Sequence, residues 1–122
     1  MTPGMKNDNG KIRPALVINS MALAMQAIAE VGTYGAEKYS ADNWMQVEDG
    51  IERYTDAMYR HLLDEAAGEA LDDESGLMHA AHAAWNAIAR LELILRLEED
   101  SGELPEDLRA FTEAIRRIFK QP

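Results

Sequence analysis

Cysteine is absent from these 122 residues, which excludes disulfides and thiolate chemistry and agrees with a cytoplasmic setting. Long apolar runs are missing too. None approaches the roughly 20 residues that a membrane span needs, and the polar N-terminus does not read as a signal peptide. Positive charge is scarce: 12 Lys and Arg stand against 22 Asp and Glu, a net charge of −10. Duplex nucleic acid is therefore a poor partner, because phosphate binding relies on Lys and Arg. The deficit has a location, since no Lys or Arg occurs between His61 and Ala89. Also lacking are a nucleophile–base–acid triad, a glycine-rich phosphate loop and a dinucleotide fingerprint.

The basic-free stretch holds Asp64, Glu65, Glu69, Asp72, Asp73 and Glu74 together with His61, His79 and His82. Carboxylates this dense raise one another's pKa and repel unless a cation arrives. Oxygen donors without an internal counter-charge suit Mg²⁺ or Mn²⁺, and such ions let an acidic protein bind nucleotide phosphates. Charge runs are also common as solvated faces, and Asp64 and Asp73 are read in that way.

The length fits one domain over 1–122, and apolar periodicity predicts an all-α fold with an extended arm over 1–18 and a four-helix bundle over 19–122. Asn19 or Ser20 is placed to cap a first helix reaching about Tyr39, with Met21, Leu23, Ala24, Ala27, Ile28 and Val31 as its apolar surface. A second helix is expected from Val47 to about Ala67, ended by Gly68. A third is expected from about Gly76 to Glu98, and Ser101-Gly102 breaks the pattern. Pro105 suits the first turn of a fourth, where Leu108, Phe111, Ile115 and Ile118 form an apolar seam for bundle packing or a partner chain. The third helix is rich in alanine, so neighbours can approach it closely. Ser75, His79, His82 and Asn86 fall in one narrow stripe along it, and Tyr54, His61 and Glu65 in another on the second helix, with Glu69 a turn further. Facing stripes of that kind are how helix bundles build metal sites.

Outside this region Lys6, Lys11 and Arg13 make the arm basic, suited to gripping phosphate or simply to solvation. Tyr39, Asn43 and Trp44 are able to stack on and hydrogen-bond a base, or to close the core beneath a loop. Arg53, Ala57 and Arg60 share a helical face, where the arginines face phosphate or pair with acids.

Taken together, Lys6-x-Asp8-x-Gly10-Lys11-x-Arg13, Gly35-Ala-x-Lys38-Tyr39, Asn43-Trp44, Arg53-Tyr54-x-x-Ala57-x-x-Arg60-His61 and Gly68-Glu69-x-x-Asp72-x-Glu74-Ser75-Gly76-x-x-His79-x-x-His82 resemble a phage family, the dATP/dGTP diphosphohydrolases of the MazZ type. That family is related to the MazG-like all-α nucleoside triphosphate pyrophosphohydrolases. The resemblance covers about Lys6 to Ile94 and leaves the fourth helix outside. It implies a MazG-like bundle that forms homodimers or homotetramers. It also implies Mg²⁺- or Mn²⁺-aided hydrolysis of dATP and dGTP to the monophosphate and pyrophosphate, in the host cytoplasm, for phages that build 2-aminoadenine into DNA. On this reading Glu65, Glu69, Asp72 and Glu74 hold metal, and Glu69 and His79 are catalytic, with a carboxylate or His79 as general base. Lys11, Arg13, Lys38 and Arg60 are expected at the phosphates, Asn43, Trp44 and Asn86 at the base or sugar, and His61 at the nucleotide. The MazG pattern has a Glu-x-x-Glu before its Glu-x-x-Asp. Here Glu69-x-x-Asp72 matches the second pair, and Glu65, Glu37 and Glu30 are the candidates for the first. The alternatives are a pyrimidine deoxynucleotide as substrate, or a non-catalytic helical module that binds a chain through its Leu108–Ile118 seam.

Overall fold

Alanine decides the centre of the fold. In the computed structural model, which describes residues 3–100 and 105–119, the alanine-rich helix lies between two others and contributes most of the buried side chains. The helices are α1 (Ala15–Ile18), α2 (Ala22–Lys38), α3 (Gly50–Ala66), α4 (His79–Asp100) and α5 (Glu106–Phe119), with a 3₁₀ turn at Asn43–Gln46. Among the described residues there is no strand, and one isolated bridge joins Leu71 and Met78. No described helix is long and apolar enough to cross a membrane.

α3 and α4 form an antiparallel pair. His61 meets His79, Tyr54 meets Trp85, Thr55 accepts a bond from Arg90 and Gly50 lies against Leu93, so rising numbers on one helix pair with falling numbers on the other. α2 packs on the opposite flank, with Gly32 beside Trp85 and Tyr34 beside His82. Ala81, Ala83 and Ala89 are buried in these contacts, and their small side chains let both neighbours come close. α5 touches α4 through Arg116, whose Nη2 donates to the Leu95 carbonyl at 2.8 Å, and Thr112 of α5 is buried.

The all-α architecture agrees with the apolar periodicity, and several boundaries move for local reasons. The arm is not extended throughout, because Ala15–Ile18 close a helical turn. Ser20 does not cap α2; its hydroxyl donates to the Leu16 carbonyl, and α2 starts only at Ala22. α3 starts at Gly50 rather than Val47, since Val47 is extended and Asp49 adopts left-handed φ 55°. α4 starts at His79 rather than Gly76, because Gly76 has φ 71° within a turn. The expected break at Ser101-Gly102 lies outside the described residues, as does the side chain of Ile118. Along the rest of the seam Leu108 and Phe111 are exposed and Ile115 is half-buried.

Candidate functional site

Two features built on α4 lie next to each other, a histidine–carboxylate cluster at its N-terminal end and an aromatic pocket one turn further along. The first depends on how α3 stops. Gly68, at φ 108°, lets its own N–H reach the Glu65 carbonyl at 3.0 Å while the Glu69 N–H reaches that of Asp64 at 3.1 Å. This is the Schellman arrangement, which satisfies carbonyls at a helix end. It turns the chain so that Glu69 lies close to Asp64, over the start of α4.

The following loop is tied down by its own backbone. Asp72 N–H donates to the Leu77 carbonyl at 2.8 Å, Gly76 N–H to that of Asp72 at 2.8 Å, and His79 N–H to that of Ala70 at 3.0 Å. Asp72 Oδ2 accepts the Ser75 N–H at 2.8 Å, and Ser75 Oγ accepts that of Leu77 at 3.1 Å. Ser75 Oγ also bonds His82 Nε2 at 2.7 Å, so the loop is clamped to α4.

The histidines from α3 and α4 converge there. His61 and His82 stack with ring centroids 4.4 Å apart at 9°, and His61 Nδ1 lies 2.9 Å from His79 Nδ1, one of the two donating. Burial pushes the His61 imidazole below its ordinary pKa, and the neighbouring His82 adds to that; burial also lowers His82. Burial raises the Asp72 carboxyl, but the Ser75 amide and hydroxyl and the His82 and His61 rings outweigh it, so it sits below the usual value. His79 is 1% exposed. Its Nε2 lies 3.5 Å from Glu69 Oε2 and has no hydrogen-bond partner. Two sets of side chains could close on a cation here: His61, Asp72 and His79, and Asp64, Glu69 and His79.

The expected metal carboxylates therefore separate. Glu69 and Asp72 belong to different sets around His79, and Glu65 is exposed and in neither. Glu74 pairs with Lys38, which holds its carboxyl below the ordinary value with help from the nearby Tyr34 hydroxyl. Glu30 and Glu37, the other candidates for the first acidic pair, line a shallow groove with Tyr34 and Ser75.

The pocket occupies about 420 Å³. Asn43, Trp44, Arg60 and Asn86 line it, joined by Tyr39, Arg53, Tyr54 and Trp85. Trp85 meets Trp44 edge-on at 6.1 Å and Tyr54 at 5.6 Å, and Tyr54 Oη donates to the Trp44 carbonyl at 2.7 Å. Asn86 Nδ2 donates to the His82 carbonyl at 2.8 Å, which leaves its oxygen free of that bond and links the pocket to the histidine cluster. Gly35, Ala36 and Tyr39 of the α2 end close another side, beside Lys38. Lys11, Arg13, Lys38 and His61 do not line the pocket. Trp85 and Tyr34 escaped the sequence reading. Trp85 sits one residue before Asn86 in an alanine run, and that adjacency was the available signal.

Residues 1–102 match the family model described as dATP/dGTP diphosphohydrolase, N-terminal. A protein of Salmonella phage PMBT28 named dATP/dGTP diphosphohydrolase is 40% identical over 81 residues, which cover 66% of this chain and 26% of that protein. The chain thus spans about a quarter of that relative's length. No solved structure matches the chain.

Proposed function

Because the chain belongs to the dATP/dGTP diphosphohydrolase family, by its N-terminal model over residues 1–102, we propose that it binds dATP or dGTP and hydrolyses it to the monophosphate and pyrophosphate with Mg²⁺ or Mn²⁺. The observation that carries this reading is the adjacency of an aromatic pocket of nucleoside size to a carboxylate cluster, across one turn of α4. The donors fit a divalent ion: Glu69 and Asp72 offer oxygens in a stretch without Lys or Arg, and the buried His79 Nε2 beside Glu69 lacks a partner. Glu65 and Glu74 complete the carboxylates assigned to metal. Bound there, such an ion offsets charge on the leaving pyrophosphate and makes water a better nucleophile.

The chain's own side chains supply the rest. Trp44, Trp85 and Tyr54 form aromatic walls for the base, and Asn43 and Asn86 present amide groups to its edge or to the sugar. Arg53 and Arg60 line the same pocket from α3 and carry the phosphates toward the cluster. Lys38 is held by Glu74 in the free protein; substrate releases it to the phosphates and frees Glu74 for metal. Lys11 and Arg13, on the arm outside the pocket, are assigned to the outer phosphates. Removal of the water's proton falls to exposed carboxylates such as Glu69, because His79 is buried and its Nδ1 is engaged by His61. His79 is the positioning residue behind Glu69.

We also assign the chain to homodimers or homotetramers, to the host cytoplasm and to phage nucleotide-pool remodelling for 2-aminoadenine DNA. The many exposed large apolar side chains support association. A panel of deoxynucleoside triphosphates with Mn²⁺, assayed for pyrophosphate, tests the activity. Release is expected from dATP and dGTP, with at least a hundredfold loss in Glu69→Gln at unchanged helicity (on the order of the effect of losing a transition-state charge contact). Release from pyrimidine nucleotides alone, or from none, sinks the reading.

A further inference from the structure

Asn43 and Trp44 reach the aromatic pocket from a single 3₁₀ turn, Asn43–Gln46, that no side chain caps. So short a segment has no stability of its own and takes its position from what touches it. α3 supplies one tie, the 2.7 Å bond from Tyr54 Oη to the Trp44 carbonyl. That bond fixes the backbone and leaves the indole to be held by something else. Arg96, on the later part of α4, reaches the ring itself. Its guanidinium lies over the indole with Cζ 5.9 Å from the centroid, within the range of a cation–π contact. Its Nη1 donates to Met45 Sδ at 3.1 Å, and its Nε donates to Glu92 Oε2 at 2.7 Å. Glu92 precedes Arg96 by one turn of α4, the order in which such a pair is favourable.

Arg96 does not line the pocket. It lines a second hollow of about 400 Å³, which shares Gly32, Ala41, Trp44 and Trp85 with the first. The two tryptophans thus form a partition, with the base pocket on one side and Arg96 on the other. We propose that Arg96 is a positioning residue for nucleotide binding, clamping the Trp44 indole from behind so that the base meets a wall already in place. The proposal rests on the nucleotide reading of the pocket and adds to it a residue outside that pocket. A wall ordered beforehand spares binding the cost of ordering it. Arginine suits the task because its planar group stacks on the indole while its edge donates to sulfur and carboxylate. A lysine ammonium has no such fork. The effect falls on affinity rather than on chemistry. Arg96 stands about 25 Å along the α4 axis from His79, at ~1.5 Å per residue, and touches none of the cluster carboxylates.

The test follows dATP and dGTP turnover with Mn²⁺ and, separately, the indole N–H resonances of the nucleotide-free chain. Trp44 and Trp85 are its two tryptophans, so those resonances report on the partition alone. Arg96→Ala is expected to raise KM about 5-fold with kcat unchanged, the factor that ~1 kcal/mol of lost cation–π attraction produces. The Trp44 resonance is expected to shift and broaden. Arg96→Lys is expected to recover at most part of the lost affinity. The Arg96 side chain is 47% exposed, so both variants keep the fold, and unchanged helicity checks this. An unchanged KM in Arg96→Ala, a loss confined to kcat, or a Trp44 resonance that stays in place overturns the clamp. So does full recovery in Arg96→Lys, which shows that charge alone matters. A wild-type chain that turns over no nucleotide removes the nucleotide reading instead, and the Trp44 resonance then decides the clamp by itself.

Discussion

At the scale of single residues, the stacked His61 and His82 tie stability to pH. Burial holds both imidazoles below the ordinary value of 6.5, so the folded chain resists protons that the unfolded chain accepts. The stability they contribute is complete above about pH 6.5 and is lost as pH falls through their lowered folded values. With a chelator present to exclude metal, the thermal midpoint is expected to drop between about pH 7 and pH 5. A flat profile across that range contradicts a neutral stacked pair. Asp72 has the same sign lower down, since its stabilising interactions are lost as pH falls through a value below 3.8. Individual site residues were legible to different degrees. Asn43, Trp44, Arg60 and Asn86 stood out by type and spacing, and all four line the pocket. Asp64 looked like a solvated acid because only the turn at Gly68 brings Glu69 beside it. The Lys38–Glu74 pair joins residues far apart in sequence, which local spacing does not encode.

Among the elements, the turn after α3 does most to shape the site. Gly68 holds φ 108°, a conformation that costs a side chain roughly 1–2 kcal/mol. Gly68→Ala is therefore expected to destabilise the chain by about that amount and to weaken metal binding, because Glu69 is aimed by the same turn. Denaturant unfolding and a metal titration check both halves. A stable variant with unaltered metal affinity shows that the turn does not position Glu69. The helices themselves were legible because apolar spacing, Gly68 and Pro105 punctuate the chain. Their starts were less so. Ser20 spends its hydroxyl on the preceding turn instead of capping α2, and Ser75 and Gly76 form a clamp instead of the first turn of α4. Side chains placed to begin a helix can also hold a turn, and packing around His82 decides between the two.

For the whole molecule, the interior is small-sided and the exterior is unusually apolar. The buried hydrophobic side chains among the described residues are Val31, Ala81, Ala83 and Ala89, whereas Leu16, Val17, Ile18, Leu23 at 83% and Leu63 at 68% are exposed. A surface of that kind suits association, and light scattering is expected to give two or four times the 13.6 kDa chain mass. A mass of one chain at micromolar concentration removes the homo-oligomer from the proposed function. The backbone ties across the acidic loop have a further, kinetic meaning. Amides of Asp72, Ser75 and Gly76 are locked within the loop before α4, and that of His79, at the start of α4, is tied back to Ala70. Their hydrogens should exchange with solvent deuterium at rates near those of α4, far below those of an open loop. A loop already frozen in this way surrenders little conformational freedom when a cation arrives, so occupancy should register mainly as heat rather than as ordering.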